Sequence, residues 1–155
     1  MNAPSAQKNL LFFLNRVFHV ASHLAERLDE LKEIPLFEEF QSTITAAIIS
    51  LEQQLDQIDN IFAVFGETTS LSIQDPLILI MENAFSRIYD EDSCPPILAL
   101  LDYVSLGNSI MSEGNAMANL AFTGTHDLKT IEPHLNTPAV LQPLMMALQE
   151  MCSAV

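Results

Sequence analysis

From Leu10 to Leu31 the apolar residues return at alternating spacings of four and three: Leu10, Leu14, Val17, Ala21, Leu24, Leu28 and Leu31. A helix holds such a series on one continuous stripe. A strand cannot, because its side chains change face at every residue. The pattern predicts a helix over about 8–32. It ends ahead of Pro35, since proline disfavours helical backbone at the residue before it. A second seam follows over 36–65, at Phe37, Ile44, Ile48, Leu51, Leu55, Ile58, Phe62 and Phe65, with Gly66 where a helix C-cap belongs. The connection is short enough to force the two helices into an antiparallel hairpin.

The rest of the chain is read from its breaks. The polar stretch "ETTSLSIQ" leads to Asp75-Pro76, an N-cap followed by a first-turn proline. A third helix over about 76–89 carries Leu77, Met81, Ala84 and Ile88 on one face. "YDEDSCPP" is a loop, and a fourth helix over about 96–122 lines one side with Leu100, Val104, Gly107, Met111, Gly114 and Ala118. Its two glycines mean either a close helix approach or a kink. "TGTHDLKTIEPHLNTP" is a further loop, and Thr137-Pro138 opens a last helix that Pro143 is expected to bend early. No stretch sustains a period of two. Residues 1–155 therefore read as a single all-α domain, an up-down four-helix bundle with an additional C-terminal helix.

Composition narrows function mainly by exclusion. Hydrophobic residues make up 49% and charged residues 17%, which excludes a disordered chain. Six Lys and Arg stand against 20 Asp and Glu, a formal charge of −14 that repels phosphate backbones and anionic membranes. No apolar run reaches the length of a secretory core or a membrane span. Cys94 and Cys152 make no disulfide framework, and thiols of this kind suit a reducing cytoplasm.

The residues able to bind metal are few. His19 and His23 stand four apart, followed by Glu26 and Glu30. At about 100° per residue, His23, Glu26 and Glu30 fall within roughly 40° of His19, while Val17, Ala21, Leu24 and Leu28 fall about 140–200° away. The stripe lies opposite the core seam, so it is expected to be a solvated face. Arg27 beside it discourages a cation. His19, His23 and Glu26 remain the surface candidates for a metal completed at a subunit contact, because an i, i+4 histidine pair can reach one ion. His126 and His134 share a loop with Asp127 and Glu132, where solvation is the plain expectation. Glu52, Asp56 and Asp59 flank the second seam. Met145, Met146 and Met151 read as packing. Cys94 follows "DED", whose charges oppose a thiolate. There is no glycine-rich phosphate loop and no nucleophile elbow.

"LAERLDELKEIPLFEEF" followed by "LEQQLDQIDNIFAVFGE" resembles the bacterial stress-associated ferritin-like family of the YciE/YciF type. The likeness covers the first 67 residues, and "LLDYVSLGNSIMSEGNAMANLA" is similar to the family's later core helix. The resemblance implies a ferritin-like bundle, a dimer, and a di-metal carboxylate centre. Such a centre takes Glu from two helices and Glu-x-x-His from two others, and this chain contains no Glu-x-x-His. Gln54 stands where the second-helix histidine is expected, Ser105 and Leu106 where the fourth helix would supply Glu and His, and Ala21 and Ser22 where the first-helix carboxylate belongs. The second helix's core positions read as uniformly apolar.

The expectation is therefore a non-enzymatic member that has lost its di-metal site, carries no cofactor, and acts through a homodimer or a protein partner. Its alternatives are a di-iron or di-manganese oxidoreductase or storage protein, and a binding module for an apolar ligand in a pocket beside Gly107 and Gly114.

Overall fold

The structure, a computed structural model, describes residues 3–70, 76–122 and 140–154. Among these every regular element is a helix and there is no strand. Helix α1 spans Ala3–Leu31, α2 Gln41–Val64, α3 Pro76–Ser86, α4 Pro96–Phe122 and α5 Gln142–Ser153. The expected N-cap Asp75, the start of the last helix at Thr137-Pro138, and the loop group of His126, Asp127, Glu132 and His134 lie outside the described residues.

The breaks follow local chemistry. Ile34 is extended ahead of Pro35, as proline demands. The chain then makes a 3-10 turn over Pro35–Phe40 rather than beginning α2 directly. In a 3-10 turn residues i and i+3 eclipse, which places Phe37 and Phe40 together, and both are buried. At the far end of α2 the Gly66 N–H donates to the Ala63 carbonyl and the Glu67 N–H to that of Phe62. This pair of bonds needs a left-handed residue, and Gly66 sits at φ +69°. Pro143 falls in the first turn of α5, where its missing N–H costs nothing, so it starts that helix instead of bending it.

Helix α1 is central. It packs on α2 and α4, and α5 packs on both α4 and α2, closing a ring of four. Short α3 lies outside the ring on α4 and α1. The C-terminal helix is thus a ring member, and α3 is the addition. Phe62 beside Leu11 and Asn15 sets α2 antiparallel to α1. The approach of Gly107 to Leu24 and of Gly114 to Val17 does the same for α4. Since α2 and α4 run the same way, the chain between them must return along the bundle, and α3 makes the return.

The six residues expected on the α4 seam are all buried. Of the two roles open to its glycines, close approach is the one realised. A Cβ on Gly107 would stand 2.8 Å from Leu24 Cδ1, and one on Gly114 would stand 2.6 Å from Val17 Cγ2.

Candidate functional site

The histidine stripe of α1 is not a solvated face. His19 is only 9% exposed, and His23 is enclosed by α3 and α4. The stripe does lie opposite the seam. The sequence did not show that this side would also be covered, by α3 along one half and by residues 67–70 along the other. Glu26 and Glu30, on the same stripe, are exposed.

Three helices build the first cluster. His23 Nε2 is 2.5 Å from Glu82 Oε1, and His23 Nδ1 is 2.7 Å from the Tyr103 hydroxyl. Arg27, one turn on from His23, donates to the same Glu82 oxygen from Nη2 at 2.7 Å and from Nε at 3.1 Å. Its guanidinium also lies over the Phe85 ring, 5.0 Å from the centroid, and 3.6 Å from Glu30. The Phe85 ring meets Tyr103 edge-on. With Nε2–H donating to the carboxylate and the Tyr103 O–H donating to Nδ1, every polar atom of the imidazole is satisfied.

Burial alone would push the Glu82 carboxyl up, but the hydrogen bonds from Arg27 and His23 outweigh it and hold the group below its ordinary value. Burial pushes the Tyr103 phenol well up. A hydroxyl–imidazole–carboxylate chain has the connectivity of an activated nucleophile. Tyr103, however, is fully buried beneath Phe85 and His23, so its oxygen faces no space where a substrate atom could sit. The cluster fastens α3 to the α1–α4 pair.

The second cluster fastens the chain leaving α2. Asn15 Oδ1 accepts from the Ser70 N–H at 3.0 Å, and His19 Nε2–H donates to the Ser70 carbonyl. The Thr69 hydroxyl donates to Asp59 at 2.8 Å. Asn15 and His19 are both more than nine-tenths buried. Beside them opens a cleft of about 220 Å³, lined by Leu11, Phe12, Phe62, Asn15, Arg16, His19, Thr68 and Ser70.

The remaining candidates are dispersed. Glu52, Asp56 and Asp59 are exposed, flanking the core as expected. Gln54 corrects the reading of α2 as uniformly apolar: it is 3% exposed, and neither its amide oxygen nor its nitrogen has a partner. The buried seam runs Leu51, Gln54, Ile58, Ile61, with Leu55 only half-buried. Beside Gly107 the space is filled by Leu24, and next to Gly114 there is a cleft of about 30 Å³. Among the described residues no three of His, Cys, Asp and Glu converge as metal ligands, and no helix is long and apolar enough to cross a membrane.

No family model, no curated protein and no solved structure matches this chain.

Proposed function

We propose that this chain is a non-enzymatic helical bundle of ferritin-like layout that works by pairing with a second copy of itself. The layout is supported by the four-helix ring with one long return between α2 and α4, the connection that ferritin-like bundles use. The non-enzymatic reading is supported by the sealed position of the Tyr103 hydroxyl.

One observation carries the pairing. A strip of large apolar side chains runs from α3 onto the end of α4: Ile80 (48% exposed), then Leu77 beside Met117, then Leu120 (68% exposed). Arg16 and Glu113, of opposite sign, line its edge. The acids crowd elsewhere, in Glu26–Glu39 and Asp90–Asp92, which meet at the other end of the bundle where Glu30 faces Tyr89. Two copies carrying −14 each come together with least repulsion on the acid-poor strip. A two-fold contact needs a patch that complements itself, and one holding both an Arg and a Glu does so. In a reducing compartment such as the cytoplasm, Cys94 and Cys152, unpaired in the fold, stay thiols.

Light scattering at micromolar concentration is expected to give twice the 17.2 kDa chain mass. The pair Ile80→Glu and Leu120→Glu is expected to halve it without loss of helix. A monomeric wild-type chain overturns the pairing. Two equivalents of iron or manganese per purified chain would overturn the non-enzymatic reading in favour of a storage protein or oxidoreductase.

A further inference from the structure

We infer that α3 is a flap: it opens from the bundle as one unit while the four-helix ring stays closed, and the Glu82 carboxylate is its catch. The topology permits this. The ring closes through the contacts of α1 with α2 and α4 and of α5 with α4 and α2, and none of these passes through α3. The close approach of α1 to α4, Val17 against Gly114 and Leu24 against Gly107, uses side chains roughly 100–120° around α1 from His23. Helix α3 covers the His23 flank, so it can leave without parting α1 from α4. Its departure uncovers Tyr103 and His23.

What holds α3 is small. Its buried side chains are Met81, Ala84 and Phe85, while Leu79 and Ile80 stay exposed. At 11 residues it is below the length, about 12–15 residues, at which an isolated helix holds in water. Off the bundle it melts, and that makes its opening cooperative. The polar hold is concentrated at one atom. Glu82 Oε1 takes His23 Nε2 at 2.5 Å, Arg27 Nη2 at 2.7 Å and Arg27 Nε at 3.1 Å. Bonds to charged groups are the stronger kind, and these three are lost together when α3 leaves. The ion pair just beyond α3, Arg87 with Asp102 at 3.5 Å, joins two exposed side chains and adds little.

The flap bears on the apolar strip. Leu77 and Ile80 are the part of the strip that α3 carries, so an open flap takes the strip apart. A second copy seated there binds the closed form only and holds the flap shut. This link rests on the pairing reading; the opening itself does not.

The test is amide hydrogen exchange on the full chain at neutral pH, read residue by residue where closing outruns exchange. Residues 80–86 are expected to share one protection factor, at least about tenfold below that of the buried amides of α1 and α4. Ile58→Val lies in the ring, in α2, and weakens the closed and open-flap forms alike. It should speed exchange in the ring by about two- to tenfold and leave α3 as it was. Glu82→Gln weakens the closed form alone and should speed α3 at least about tenfold, with Arg27→Gln as the second variant. In the wild type, α3 exchange should slow as rising concentration pairs the chains, and in the Ile80→Glu, Leu120→Glu variant it should not. The flap is overturned if α3 and the ring share one protection factor, if Ile58→Val speeds both equally, or if neither catch variant speeds α3. A chain that pairs with no slowing of α3 overturns the link to the strip. A chain that stays monomeric overturns the pairing, and the flap is still decided by the comparison of α3 with the ring.

Discussion

Gly114→Ala sets two effects of known size against each other. In an exposed helix interior the change is favourable by about 1 kcal/mol, since alanine loses less backbone freedom. Here the new methyl would stand 2.6 Å from Val17 Cγ2 and 3.6 Å from the Phe13 carbonyl. Carbon pairs settle at about 3.5–4.0 Å, so roughly 1 Å must be recovered. Val17 is fully buried and β-branched, and in a helix such a side chain has one strongly preferred rotamer, so it cannot swing aside. The helices must separate instead, and overpacking of this kind costs about 1–3 kcal/mol or more. The cost wins. Gly114→Ala is expected to destabilise the protein by up to about 2 kcal/mol net, a fall in Tm of as much as roughly 6 °C for a chain of this size. Urea unfolding followed by circular dichroism measures it. The mechanism has its own check in a double-mutant cycle. Val17→Ala alone costs about 1–2 kcal/mol from the cavity it leaves. In the Gly114→Ala background the new methyl occupies that cavity, so the double variant should lose at least about 1 kcal/mol less than the sum. A stabilised single variant, or a cycle additive within about 0.5 kcal/mol, refutes the close approach of α1 and α4 at this point.

Two further outcomes follow from buried polar groups. Gln54→Leu removes an amide whose oxygen and nitrogen are both buried without partners, and the protein should gain about 1–3 kcal/mol in urea unfolding; an equal loss would mean that the amide is satisfied. Glu82 is held below its ordinary pKa in the fold, so its ionised form stabilises the protein above the unfolded carboxyl value of about 4.3 and that contribution disappears as pH falls through the folded value. Stability measured from pH 6 downward should therefore show a loss below about 4.3 that is smaller in Glu82→Gln, and identical slopes in the two proteins would remove Glu82 from the clamp.

The helices were legible because their seams are long. The α1 and α4 stripes, the break at Pro35 and the cap at Gly66 each rest on a local rule, and the structure follows each. What failed was the inference from "opposite the seam" to "in water". Phe13, Leu11, Phe18 and Val20 widen the apolar arc of α1 to about half its circumference, more than one neighbour can cover. That width was the available signal that α1 is surrounded, and that His19 and His23 would meet other chain segments. Their partners Ser70, Glu82 and Tyr103 lie 51, 59 and 80 residues away, separations no local pattern reports. Gln54 was misread for a different reason. Leu55, its neighbour, fits the seam equally well by spacing, and hydrophobicity made the wrong choice between adjacent positions.

The central place of α1 has a consequence in time. Its largest contact is with α4, so α1 is synthesised well before the helix it docks on, which is complete only at Phe122. From Lys32 through Phe122 there are 91 residues to add, which at about 5–20 residues per second means roughly 5–18 s of elongation. Through that interval only α2 and then short α3 can shield the helix, and the flank carrying Val17 and Leu24, which α4 covers, waits open. A nascent chain stalled after α2 should therefore present α1 to chaperones as an unfinished surface, and release of the chaperone should coincide with the emergence of α4.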